Sequence, residues 1–389
     1  MKISMIGPVY PYRGGISHFT TMLAKKLIAA GHEVQVISFK KQYPAWLYPG
    51  ESDKDYSPSR ERVDAEYLLT PLNPISWHKT SKAIAEFKPH QVIVPWWVTF
   101  WGPAFHHIIS RLKRQNIPIT ILIHNTMPHE ARPWDRFLAR RTLQGGDRFI
   151  VMTNKEKKRL QSLIQEIENV EIVPHPMYRM FKPSQFSKDE NRSRLGLPPN
   201  KPIILFFGFI RPYKGLSDLL QALKIIITKG HEVSLVVAGE FWQDRRQYDN
   251  QIQGLSLQND VYIFDSYIPD EQAAQFFEVS DIFAAPYTAG TQSGALKAAL
   301  GFGLPAVATD AITDGFLLSH PQRCVIVPAG DIAALAAGLE KQVNQPVLGQ
   351  DQIKEMVNSS WEQMLAVIVK NQSRRALIGV KRHKETSNK

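Results

Sequence analysis

Apolar positions in this chain come in short unbroken runs with helical stretches between them. "KISMI", "VQVIS", "QVIVP", "ITILI", "RFIVM" and "VEIVP" punctuate the first half; "IILFF", "SLVVAG", "VYIF", "DIFAAP", "PAVAT" and "CVIVP" punctuate the second. Runs of this kind predict strands buried on both faces, which is the environment of a parallel sheet covered by crossover helices. Between them the pattern changes to a period near 3.6. Ile16, Phe19, Leu23 and Leu27 share one helical face, and Leu219, Leu223 and Ile226 share another.

Two segments resemble each other. "MKISMIGPVYPYRGGISHFTTMLAKKLIAAGHEVQVISF" and "PIILFFGFIRPYKGLSDLLQALKIIITKGHEVSLVVAG" each read as strand, Pro-Tyr-basic-Gly loop, amphipathic helix and a second strand opened by "GHEV". Two such starts predict an α/β chain of two Rossmann-like, doubly wound parallel-sheet domains. We place the first at residues 1–176 and the second at 177–358. The polar stretch 177–201, "MYRMFKPSQFSKDENRSRLGLPPNK", reads as the linker between them. The tail from about residue 373 is basic and polar and is expected to fray.

Length and composition agree with two globular domains: 389 residues, 43% hydrophobic and 21% charged. The single cysteine, Cys324, excludes an intrachain disulfide and fits a reducing compartment. The N-terminal apolar run is too short for a signal peptide, and no run of about 18 apolar residues is present. A soluble, cytoplasmic protein is expected. The formal charge of +11 suggests an anionic partner, and "ARPWDRFLARR" with "TNKEKKRL" concentrates that charge.

Ligands of open α/β sheets bind beyond the carboxyl ends of strands, so the loops there carry the candidate chemistry. After the first strand, Gly14 and Gly15 allow close backbone approach and open a helix whose amides favour an anion. In "GFIRPYKGLSD" Arg211 and Lys214 can neutralise a diphosphate. "ITILI" runs into "HNTMPHE", with His124, Asn125, His129 and Glu130 facing the cleft. His124, His129 and Glu130 are metal-type ligands, but HEXXH is absent and no other ligand cluster supports zinc, so no metal is expected. Trp96, Trp97, Phe100 and Trp101 could stack on sugars or lipid, and core packing is the preferred reading for most of them. In "PWDRFLARRTL", Arg132, Arg136 and Arg140 read as one stripe beside Trp134, Phe137 and Leu138. That stripe is either a face for an anionic membrane surface or simply a solvated one.

The paired halves, together with "GFIRPYKG", "NRSRLGLP" and "GALKAALGFGLPAVATD", resemble the family 4 retaining glycosyltransferases of GT-B fold. The resemblance covers nearly the whole chain. It implies two domains facing a central cleft, with the acceptor on the N-terminal domain and a nucleotide-diphosphate sugar on the C-terminal one. The last helix, from about 359–389, would cross back to the N-terminal domain with Trp361 as its anchor. The resemblance also implies donor-phosphate binding by Lys214 and, two residues after the usual position, by Arg211, because Phe209 stands where the family has arginine. His124 would lie near the donor sugar, and Gly14 and Gly15 would form the first glycine loop.

The family commonly places two glutamates with seven residues between them, and aligned on Gly303-Leu304-Pro305 these positions are Gly290 and Ala298. Their roles on the donor sugar and the ribose are therefore open. Thr291, Gln292, Ser293 and Gly294, at a helix N-terminus, are the donors expected to serve the phosphate and sugar instead. The reading is a metal-independent retaining glycosyltransferase using a nucleotide-diphosphate sugar donor. Its acceptor would be a saccharide or lipid-linked hydroxyl, in polysaccharide or glycolipid assembly. No cofactor and no nucleic-acid partner are expected. The rivals are a catalytically silent GT-B binding subunit and a sugar-nucleotide epimerase.

Overall fold

The computed structural model describes residues 1–44, 52–58, 60–128 and 131–370. The first half contains β1 (Lys2–Ile6), α1 (Gly15–Ala29), β2 (Glu33–Phe39), β3 (Glu66–Leu69), α2 (Pro74–Phe87), β4 (Gln91–Trp96), α3 (Gly102–Lys113), β5 (Ile119–Ile123), α4 (Asp135–Leu143), β6 (Arg148–Val151), α5 (Asn154–Leu163) and β7 (Val170–Ile172). The second contains α6 (Lys188–Arg194), β8 (Ile203–Phe207), α7 (Leu216–Thr228), β9 (Ser234–Ala238), α8 (Arg246–Gly254), β10 (Val261–Phe264), α9 (Asp270–Val279), β11 (Ile282–Ala285), α10 (Gly294–Gly301), β12 (Ala306–Thr309), α11 (Gly315–Ser319), β13 (Cys324–Val327), α12 (Ile332–Gln342) and α13 (Gln350–Val369).

The strands form two sheets, ordered β3-β2-β1-β4-β5-β6-β7 and β10-β9-β8-β11-β12-β13. Neighbours pair in parallel, as in Ile3 with Val34 and Ile203 with Ser234. The unbroken apolar runs have this physical cause: every residue of β4, β5, β9 and β12 is buried. The one strand missing from the sequence reading is β3. It is an edge strand that opens on two exposed residues, Glu66 and Tyr67, and so lacks the apolar signature.

Helices α2 to α5 cover one face of the first sheet, with Ile84, Phe105, Ile108, Leu143 and Leu160 in its core. Its other face belongs to a core that runs through both halves. Phe19 and Leu23 of α1 join Met177, Tyr178, Phe277, Leu296 and Trp361 there. The segment read as a polar linker packs into this core. Met177, Tyr178 and Phe181 are buried in it, and α6 follows with a capping box between Ser187 and Glu190. Most of the side chains in that stretch are polar because they cover the surface of a packed segment. Trp361 of α13 lies 5.7 Å from the Phe19 ring and donates to the carbonyl of Met177 at 2.9 Å. Arg148 and Gln91 of the first sheet donate to the carbonyl of Ile368, satisfying the end of α13.

Candidate active site

In each sheet the strand order reverses once, between β1 and β4 and between β8 and β11. Crevices open at such points beyond the strand ends. A cavity of about 340 Å³ lies here, lined from the first half by Gly14, Gly15, His18, His124 and His175. From the second half it is lined by Gly208, Lys214, Glu240, Asp270, Gly290, Gln292, Ser293, Gly294 and Ala298, among others. Of the residues singled out from sequence, Arg211 and Thr291 do not line it.

The loop after β8 positions Lys214. Gly215 takes φ +74°, and a Cβ there would stand 1.9 Å from the carbonyl oxygen of Pro286, so only glycine lets the loop pack this tightly. The Lys214 ammonium lies 5.6 Å from the Tyr287 ring centroid. Burial pulls its pKa below the ordinary lysine value, and Arg211 adds to this, while Tyr213 opposes it. A cation held under such strain is relieved by an anionic ligand. The Arg211 guanidinium instead lies 5.3 Å from the Trp242 ring and 5.7 Å from the Tyr213 ring. It lies beside these aromatic rings and does not line the cavity, so its expected contact with the phosphates stays an expectation.

The N-terminus of α10 carries the "TQSG" residues, which divide into two kinds. Ser293 caps the helix, accepting from Leu296 N at 3.2 Å, and shares a 3.0 Å hydrogen bond with the Tyr287 hydroxyl. It orients the turn so that the backbone at Gly294 faces the cavity. Thr291 donates to Asn125 Oδ1 at 3.2 Å, and Gln292 Nε2 donates to the His124 carbonyl at 3.1 Å. Lys155 of α5 donates to the Gly290 carbonyl at 3.0 Å. This loop therefore ties the two halves together, and the Thr291 hydroxyl donates to that contact.

Gly290 explains why no acid stands there. Its φ is +144° and a Cβ would come within 2.9 Å of Ile312 Cγ2. Gly290→Glu is expected to lower stability by about 1 to 3 kcal/mol, the usual cost of a residue forced into a glycine conformation. Urea denaturation measures it, and an unchanged midpoint contradicts it. Ala298 is buried in a wall shared with Tyr178, Phe181 and Phe277, so the second acid position is apolar.

His124 is almost fully buried and edge-on to Phe19 at 4.8 Å, and its Nε2 has no partner among the described residues. Burial pushes its pKa down to about 3, with His175 contributing, so the imidazole stays neutral near neutrality and interacts by hydrogen bonding. His175 is pushed down to about 4, chiefly by burial. Its Nδ1 lies 2.8 Å from the Pro176 carbonyl, which can only accept, so Nδ1 carries the proton and Nε2 accepts from Tyr178 Oη at 3.1 Å.

Both histidines bind protons more readily in the unfolded chain. Their stabilising contribution is complete above about pH 6.5 and is lost as pH falls below it. At pH 5 each is expected to cost roughly 2 kcal/mol. Denaturation at pH 7.5 and pH 5 should show a smaller loss for His175→Gln than for the parent chain; an equal loss contradicts the assignment.

Sequence reasoning gave no role to Glu240, because acidity alone does not assign one, and missed Asp55 and Asp270. Glu240, directly after the strand-end Gly239, meets Arg13 at 2.9 Å, and the Arg13 guanidinium lies 4.2 Å from the Tyr267 ring. Asp270 pairs with His18 at 2.8 Å and Arg60 at 3.2 Å, while Tyr267 donates to Asp55 at 2.9 Å. Each of these contacts joins the two halves. The available signal was the arginine immediately before Gly14-Gly15 and an acid immediately after a β-strand glycine. His129 and Glu130 lie outside the described residues.

Away from the cleft, Trp96 and Trp101 are fully buried, Trp101 against Phe39 and Phe105, as the core reading expects. The arginine stripe is corrected. Helix α4 starts at Asp135, whose carboxylate accepts from Arg132 N at 2.7 Å, so Arg132 precedes the helix and shares no stripe with Arg136 and Arg140.

Comparison with known proteins agrees with this architecture. Residues 13–177 match the family model described as Glycosyltransferase Family 4, and residues 187–358 match that of Glycosyl transferases group 1. A phosphatidyl-myo-inositol mannosyltransferase of Mycobacterium leprae is 32% identical over 155 residues, 39% of this chain and 40% of that protein. A D-inositol 3-phosphate glycosyltransferase of Thermomonospora curvata is 27% identical over 270 residues, 63% of this chain and 59% of that protein. Each match spans less than two thirds of the relative's own length. Among solved structures, sucrose-phosphate synthase from Thermosynechococcus elongatus superposes with a TM-score of 0.69 at 17% identity, covering 98% of this chain and 100% of that one. HepE of Anabaena, in complex with UDP and glucose, gives 0.66 at 17% identity with the same coverage. With its two halves matching the two family models in order and its two parallel sheets facing a cleft, the chain belongs to the family 4, group 1 glycosyltransferases of GT-B fold.

Proposed function

We propose that the chain is a retaining glycosyltransferase that moves a sugar from a nucleotide-diphosphate donor to the hydroxyl of a saccharide or lipid-linked acceptor, without a metal ion. The observation that carries this reading is the convergence of Lys214, the N-terminus of α10, the Gly14-Gly15 turn and the unpartnered Nε2 of His124 on one cavity. As the bond from the anomeric carbon to the diphosphate breaks, charge grows on the leaving phosphate. Lys214 and the α10 amides are fixed where they can stabilise it. The acceptor oxygen forms its bond on the same face, and its proton passes to the departing diphosphate. His124, neutral, orients a sugar hydroxyl. Nucleotide-sugar use agrees with the UDP bound to HepE, and glycosyl transfer with the names of the inositol and mannosyl relatives. Assembly of a polysaccharide or glycolipid is the setting we propose.

Gly290 and Ala298 favour a second reading, a binding subunit without turnover. A thermal-shift screen of uridine, guanosine and adenosine diphosphate sugars separates the outcomes. Stabilisation by one class followed by acceptor-dependent turnover supports the enzyme. Stabilisation without turnover supports the binding subunit, and no stabilisation by any donor refutes both. Nuclear magnetic resonance of the product's anomeric centre tests retention; inversion overturns that part.

A further inference from the structure

The two ends of the cleft cavity differ in what they can hold. At the turn that opens α10, two buried polar atoms have no hydrogen-bond partner among the described residues: His124 Nε2 and Gln292 Oε1. Both residues line the cavity. The Gln292 Nε2 is held by the His124 carbonyl at 3.1 Å, so its Oε1 is the atom left to accept. This end suits a group rich in hydroxyls, as the transferred sugar is.

The other end begins one turn along α10. Gly294, Ala295 and Ala298 line the cavity from one face of the helix. With a phosphate at the helix N-terminus, Ala298 lies about 6 Å further along the axis, at about 1.5 Å per residue. A pentose joined to that phosphate reaches this point. The wall it meets is apolar. Ala298 is 2% exposed and packs in one cluster with Phe181, Phe207, Ile268 and Phe277, all of which line the cavity. Phe277 stacks on Phe181 at 5.8 Å and lies 4.9 Å from Phe207. The Tyr178 hydroxyl is engaged by His175 at 3.1 Å. The carboxylates lining the cavity among the described residues are Glu240 and Asp270. Arg13 binds the first, and His18 and Arg60 bind the second, all from the other half. A hydroxyl carried from water to such a wall loses its partners, whereas a methylene in its place gains by burial.

We propose that the cleft selects a 2′-deoxyribonucleoside diphosphate sugar, with Ala298 and its aromatic neighbours against the position where a ribonucleotide carries its 2′-hydroxyl. This inference rests on the proposed nucleotide-sugar use and deepens it by naming the class of nucleoside. Ala298 is the specificity-determining residue, and the phosphate contacts at Lys214 and the α10 amides are common to both classes.

The test is isothermal titration calorimetry of the full-length protein with uridine, guanosine and adenosine diphosphates, their 2′-deoxy forms, and thymidine diphosphate. The deoxy form of the preferred base is expected to bind at least about fivefold tighter than its ribo form, the effect of sparing one buried, unpaired hydroxyl. Ala298→Ser places a hydroxyl on the wall and should cut this preference to about twofold or less; Ala298→Glu, with a charged acceptor, should reverse it. Lys214→Ala should weaken both forms alike. Melting midpoints of all variants control for folding. Equal affinity for the two forms in the parent chain would mean that the pentose stays in water, and would overturn the inference. Tighter binding of the ribo form would also overturn it, and loss of that advantage in Glu240→Gln would identify Glu240 as the acceptor. A deoxy preference unaltered in Ala298→Ser would take the selection away from this wall. Binding without a deoxy preference leaves the nucleotide-sugar reading standing, whereas no binding of any nucleotide refutes that reading and this inference together.

Discussion

Lys214→Ala lowers turnover by about a hundred- to a thousandfold, the range for removing one positioned donor from a developing negative charge. The effect is large because the loop is built around the ammonium. Gly208 takes φ +101°, and a Cβ there would stand 3.2 Å from Nζ, so the absence of a side chain at 208 is what leaves room for the lysine. Lys214→Arg is expected to recover little, since a planar guanidinium does not reproduce a compact ammonium at the same point. The pH dependence has a definite sign. The buried ammonium loses its proton below the ordinary lysine range, so apparent donor affinity falls as pH rises toward that range. Donor titrations at neutral and alkaline pH, beside Lys214→Ala, check this. A donor affinity that stays flat in the parent chain, or an alanine variant that keeps its turnover, would remove Lys214 from the phosphate.

The position of that lysine was legible because a strand, a proline-containing turn and a glycine leave it few places to go. The two-sheet architecture was legible for the same reason: strands buried on both faces write unbroken apolar runs, and α1 and α7 write their faces at helical spacing. The strand β3 was not, because its exposed edge residues write no apolar run, nor was the packed stretch around Tyr178, whose burial comes from partners far away in the chain. Arg211 and Thr291 show the limit most clearly. Both sit in the right loop, yet a guanidinium beside an aromatic ring prefers to stack, and a threonine beside Asn125 prefers to bond it. Sequence placed the loops and could not say which side chains of each loop turn inward.

The acids behave in a matching way. At Gly290 the backbone, bonded through its carbonyl to Lys155, has a conformation that excludes a side chain. At Ala298 the cavity wall is apolar. The carboxylates that do face the cleft, Glu240 and Asp270, are held by Arg13, His18 and Arg60 across the two halves. These two carboxylates therefore serve contact between the halves, while Lys214 lines the cavity.

The second large effect is on stability, and it comes from the helix that carries the donor turn. Lys297 of α10 and Asp314 meet at 2.7 Å with both side chains 1% exposed. Lys297 also lies 4.7 Å from the Phe316 ring, and Asp314 caps α11 by accepting from Leu317 N at 3.0 Å. Lys297→Met leaves a carboxylate buried without its counter-charge, and the expected loss is about 3 to 5 kcal/mol. The pair itself adds far less than that, because two charges had to be taken out of water to form it. Lys297→Met/Asp314→Asn should accordingly recover most of the loss, since asparagine keeps the cap and carries no charge. The single variant's deficit should also shrink on acidification, when a proton neutralises the orphaned carboxylate. Urea denaturation of the parent, single and double variants at pH 8 and pH 5 reads all three effects. If the double variant is as unstable as the single one, the pair contributes through packing of the lysine stem, and electrostatics is not what holds α10 to α11.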